Sequence, residues 1–163
     1  MSDEKLNYRN NVLGVIDKLR NTSIEEIYYE FDNDPTFDQD RIPFKFYYCY
    51  SILIVTKSEV FKVHTSGTDS GLDTFWISAE TELIFSPNYI KIDSPANEIH
   101  VEYRNDYAFK ITIELNRSKL IIYCGEIYDA VDGGFRCVLQ DERIFVFQDE
   151  TDANIFEKLC NSS

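Results

Sequence analysis

Residues 98 to 115 read EIHVEYRNDYAFKITIEL. Ile99, Val101 and Tyr103 alternate with His100, Glu102 and Arg104. After Asn105-Asp106, Phe109, Ile111, Ile113 and Leu115 alternate with Lys110, Thr112 and Glu114. An apolar repeat of two puts one face of each strand against a core and leaves the other in water, which is the pattern of an antiparallel sheet. Asn and Asp tolerate left-handed backbone, so the dipeptide between the runs reads as the turn of a hairpin.

The same pattern extends outward in both directions. Strands are expected near 44 to 56, 59 to 65, 74 to 78, 82 to 86, 89 to 93, 98 to 104, 107 to 115, 119 to 124, 135 to 140 and 143 to 148, separated by turn-like breaks such as Lys57-Ser58 and Asp132-Gly133-Gly134. The longest apolar run, Phe46 to Val55, is interrupted only by Ser51. It is too short for a membrane helix, which needs about 20 residues, and reads as a strand buried on both faces. Residues 3 to 20 have helical spacing, with Val12, Leu13, Ile16 and Leu19 on one face and Leu6 before them. Residues 150 to 160 form a second helix, with Ala153, Phe156, Leu159 and Cys160 inward, Glu150 and Asp152 in the first turn and Lys158 in the last. Residues 23 to 31 carry two signals: Ser23 to Glu26 is a helix capping box, while Ile27, Tyr29 and Phe31 alternate with Tyr28, Glu30 and Asp32. The aromatic content favours a strand. The expected fold is α+β: one domain over residues 1–163, an antiparallel β-rich sheet or sandwich with an N-terminal and a C-terminal helix.

Charge narrows the function. Lys and Arg total 16 and Asp and Glu 29, a formal net charge of −13. That excess opposes binding to nucleic acid, which needs Lys and Arg to displace phosphate counterions. It also opposes docking on anionic membrane and favours fast approach to a basic partner. The N-terminal MSDEKLNYRN lacks the apolar stretch of a signal peptide, and Cys49, Cys124, Cys137 and Cys160 form no C-x-x-C pair. A cytoplasmic protein with four free thiols is expected.

Catalytic and metal motifs are missing. The chain has no G-x-S-x-G, H-E-x-x-H, Walker A or G-x-G-x-x-G pattern. Its two histidines, His64 and His100, each sit on an expected strand, and we read no second ligand at the right spacing for either. Asp69-Ser70-Gly71 matches the triplet of aspartic proteases, but it occurs once and follows polar residues, so it reads as a hairpin loop. Asp32, Asp34, Asp38 and Asp40 are spaced like calcium ligands, yet the sixth and twelfth positions counted from Asp32 are Phe37 and Pro43 rather than Gly and Glu. A solvated acidic loop is the better reading, and no cofactor or metal is expected.

The acids are unevenly spread. Glu25, Glu26, Glu30, Asp32, Asp34 and Asp38 lie between Ile24 and Gln39 without a basic residue, and Asp40 follows. A second acidic segment runs from Glu126 to Asp152 against only Arg136 and Arg143. Tyr28, Tyr29, Phe37, Tyr128 and Phe135 are interleaved with these acids. Acids steer encounter with a basic protein, and aromatics supply contact area with few rotors to freeze. The candidate partner-binding residues are Glu25, Glu26, Tyr28, Glu30, Asp32, Asp34, Asp38 and Asp40.

In charge, acidic segments and lack of catalytic motifs the chain resembles the immunity proteins of bacterial polymorphic and contact-dependent toxins. That resemblance implies a non-enzymatic inhibitor that occludes the basic surface of a cognate toxin or nuclease. A phage-borne inhibitor that mimics the charge of DNA would share this physics. A strand Ile144 to Gln148 followed by a helix from Glu150 to Leu159 also resembles the ending of pleckstrin-homology-like domains, which implies the alternative of a protein-binding scaffold. The basic pocket of that family's lipid-binding members would have only Lys45, Lys57 and Lys62 to draw on.

Overall fold

A computed structural model describes residues 2–80, 89–91, 96 and 98–162. Its elements are α1 (Asp3–Arg20), β1 (Ile24–Phe31), a 3-10 turn (Gln39–Arg41), β2 (Tyr47–Thr56), β3 (Val60–Gly67), β4 (Asp73–Glu80), β5 (Tyr89–Lys91), β6 (Glu98–Arg104), β7 (Tyr107–Glu114), β8 (Lys119–Asp129), β9 (Phe135–Leu139), β10 (Arg143–Phe147) and α2 (Glu150–Ser162). This is the α+β class expected: a curled antiparallel sheet with a helix toward each end of the chain. The strand expected at 82 to 86 lies outside the described residues. The ambiguous segment 24 to 31 is a strand, because pairing with β2 on one edge and β5 on the other satisfies a backbone that the capping box would have bent into a helix.

Two long strands organise the sheet. β2 carries β1 along one edge, and β3 and β10 end to end along the other. β8 carries β10 along one edge, and β7 and β9 end to end along the other. The β6–β7 hairpin turns at Asn105 and Asp106, whose φ angles of 54° and 69° are those of a tight primed turn. At Gly125 the sheet and α2 come close: a Cβ there would lie 2.6 Å from the Val138 carbonyl oxygen and 3.4 Å from Phe156 Cζ.

Curling brings β4 against β7. Thr74 Oγ1 donates to the Ala108 carbonyl at 2.9 Å, and the Tyr8 hydroxyl donates to the Phe75 carbonyl at 2.8 Å while accepting from the Ala108 N–H at 3.2 Å. Tyr8 thereby pins α1 inside the curl. The helix buries Tyr8, Val12, Ile16 and Leu19, one stripe at helical spacing. Leu6 and Leu13, expected inward, are 50% and 37% exposed. They sit off that stripe, and the tyrosine supplies the inner position that a search for aliphatic residues passes over.

Central strands are buried on both faces. Ile122, Cys124, Ile144 and Val146 join the core around α1. Ile121, Tyr123, Phe145 and Phe147 join a second core under α2, with Ala153 and Phe156. Phe156 stacks on Phe145, ring centroids 4.9 Å apart. Leu159 and Cys160 pack at the margin of this core. Asp149 caps α2 from just before its first residue, its carboxylate accepting the Thr151 N–H at 2.7 Å, and the helix runs past Lys158 to Ser162, so Lys158 is not in its last turn. The four cysteines are free thiols, three of them buried.

Candidate protein-docking face

The two acidic segments meet in space. Where β1 ends, the Asp32 N–H donates to the Tyr48 carbonyl at 2.9 Å, which turns the Asp32 side chain toward β10. Its carboxylate lies 3.3 Å from Arg143 Nε, with side-chain exposures of 6% for Asp32 and 22% for Arg143. The same guanidinium reaches Glu142 at 3.6 Å and lies 4.4 Å from the centre of the Tyr50 ring. Next to it, the Tyr48 hydroxyl donates to Glu126 Oε1 at 2.6 Å. Burial pushes the Glu126 carboxyl above its ordinary range, against the opposing pull of the Tyr48 and Ile127 hydrogen bonds.

Around this buried centre lies an exposed rim. The Asp38 N–H points at Asp129 Oδ1 at 3.5 Å, and Arg41 donates to the Gly133 carbonyl while pairing with Asp38 at 3.4 Å. The loop after β1 and the β8–β9 hairpin are thus held side by side. Asp32 and Asp38 each accept the N–H two residues on, in Asp34 and Asp40, the local turns that fix this polar loop. The Tyr128 hydroxyl donates to Asp141 at 2.6 Å, and Arg136 lies 5.5 Å from the Tyr128 ring centre. Tyr50 and Tyr128 stay 44% and 37% exposed, and Val131 at the hairpin tip is fully exposed. Glu30, Asp34, Asp38, Asp40, Asp129, Asp132 and Glu142 add exposed carboxylates. The arginines of this region, Arg41, Arg136 and Arg143, are each already engaged within it.

The sequence-derived candidates divide in three. Glu30, Asp34, Asp38 and Asp40 lie on the rim. Glu25 and Glu26 stand toward the opposite end of β1, about 13–17 Å from Glu30 along the strand. Tyr28 and Asp32 are buried, at 5% and 8% exposure, so neither presents itself to a partner. Tyr28 lies between β2 and β5 and donates to Glu26, and Asp32 serves Arg143. Tyr50, Val131 and Arg143 did not stand out in the sequence, because their role comes from segments distant in the chain being neighbours, as β2 and β10 are with partners 95 to 99 positions apart.

Two clefts border the region: one of about 350 Å³ beside Asp32, Lys45 and Tyr48, and one of about 630 Å³ beside Phe44, Phe46, Val146 and Asp149. Neither is lined by Glu126. Asp69 sits in the β3–β4 turn, closed by the Gly71 N–H on the Thr68 carbonyl at 3.0 Å, a hairpin loop as expected. His64 is half-buried on β3 and His100 exposed on β6. Among the described residues, no helix is long and apolar enough to cross a membrane. No family model, curated protein or solved structure matches the chain.

Proposed function

We propose that this chain is a non-enzymatic binding protein that docks a basic protein through the face built by the loop after β1 and the β8–β9 hairpin, and that it acts as an inhibitor or immunity protein of a toxin such as a nuclease. The observation that carries this reading is the convergence of the two acidic segments, held together by the Asp32–Arg143 pair and the Asp38–Asp129 contact. The same loop, hairpin and strand ends carry exposed carboxylates together with the exposed Tyr50, Tyr128 and Val131. Such a face would steer a cationic surface and then give it aromatic and apolar area to cover. Because the local arginines are engaged internally, the pairing cations would come from the partner.

The test is capture followed by assay. Tagged protein is used as bait in source lysate at low salt, and bound proteins are identified by mass spectrometry. The expected outcome is a basic protein that is released by high salt and whose own activity is lost on addition of one equivalent of this chain. A partner that keeps its activity when saturated would make the chain a scaffold instead, and capture of acidic proteins alone would refute the reading.

A further inference from the structure

A second constellation lies at the far edge of the sheet, outside the docking face. Glu98 and Glu114 are directly opposed in the β6–β7 register, and His100 follows Glu98 on the same side of β6. His100 Nε2 is 3.3 Å from Glu98 Oε1 and 3.9 Å from Glu114 Oε2, and ligand atoms of all three lie within 4.8 Å of one another. No acid was expected at ligand spacing from His100, but a residue two positions away on a strand shares its face, and the cross-strand partner is set by a register no sequence spacing displays.

We propose that Glu98, His100 and Glu114 form a divalent transition-metal site suited to zinc, with one position open to solvent. Two independent observations carry this. The first is geometry: zinc holds His nitrogen and carboxylate oxygen at about 2.0–2.2 Å, so two donors on one tetrahedral ion stand about 3.3–3.6 Å apart. The distances from His100 Nε2 bracket that range, and small rotations of exposed side chains complete the fit. The second is charge. Two carboxylates directly opposite each other on neighbouring strands repel, an arrangement that calls for a cation between them. Lys119, opposite Glu114 on β8, is turned to Glu150 at 3.4 Å. Imidazole nitrogen and carboxylate oxygen are both donors that zinc takes, and three protein donors leave a fourth position for water.

The experiment uses the full chain, stripped with a chelator and titrated with Zn²⁺ in competition with a chromophoric chelator, and separately with Co²⁺. One equivalent should bind, and the Co²⁺ form should show the intense visible absorption of a tetrahedral ion. His100→Ala and Glu114→Gln should each weaken binding at least tenfold, while His64→Gln leaves it unchanged. All three variants keep the fold by circular dichroism, since these side chains lie at or near the surface. Unsaturable uptake, or unchanged affinity in His100→Ala, would overturn the proposal and leave the three residues an ordinary ion pair.

Discussion

Asp32 and Arg143 lie 111 positions apart in the chain and meet at 3.3 Å. This contact closes the gap between the end of β1 and the start of β10, and the docking face is built over it. Asp32→Ala would leave a part-buried guanidinium with, among the described residues, only the exposed Glu142 as an ion-pair partner. The expected loss lies between that of surface and fully buried pairs, about 2 kcal/mol, read from urea denaturation. A loss under a few tenths would mean that the pair does not hold the face together.

Glu126 gives a pH dependence. Its folded carboxyl is raised above the unfolded value by burial, so the folded state binds the proton more tightly. Its contribution to stability is fully present below the unfolded pKa and declines as pH rises through the folded one. Glu126→Gln keeps an acceptor for Tyr48 and removes the buried charge. The variant should match the wild type in acid and exceed it at neutral pH, as measured by denaturation across that range. Equal stability at both ends would contradict the assignment.

Tyr8 ties α1 to β4 and β7 through one hydroxyl. Tyr8→Phe preserves the ring contacts with Trp76 and Tyr107 and removes only those bonds. Leaving the buried Ala108 N–H without this partner should cost about 1–3 kcal/mol, with faster amide exchange at Ala108. Unchanged exchange there would show that the curl closes without Tyr8.

At Gly125 the backbone of β9 comes so close that a side chain has no room. Gly125→Ala should destabilise by about 1–3 kcal/mol, because the clash is with a backbone carbonyl and not with a flexible side chain. Calorimetry would show it as a lower melting temperature, and an unchanged one would mean that β9 can move aside.

How far the sequence could be read depended on whether a feature was local. The β6–β7 hairpin was legible because its alternation and its Asn-Asp turn are both encoded within eighteen consecutive residues. Helix α1 was legible in extent and, through Val12, Ile16 and Leu19, in most of its inner face; that face begins at Tyr8, a residue whose polar tip is useful only because Thr74 and Ala108 arrive from elsewhere. The acidic loop was visible as charge, yet Asp32 and Asp38 look alike in sequence. Only the neighbouring β10 makes one a buried partner of Arg143 and leaves the other on the rim. Glu98, His100 and Glu114 became a group through strand register, which local patterning does not contain.

The most direct test of the docking face is the association rate of the captured basic partner with purified wild type and two charge-reversed forms. One form carries Asp34→Lys and Asp40→Lys on the rim, and the other carries Glu25→Lys and Glu26→Lys at the far end of β1, so both change the net charge equally. Rim reversal is expected to slow association at least tenfold and to remove most of its salt dependence, while reversal at the far end changes it less than twofold. Equal slowing by both would reduce the effect to net charge, and an unchanged rate with the rim reversed would place the partner elsewhere on the molecule.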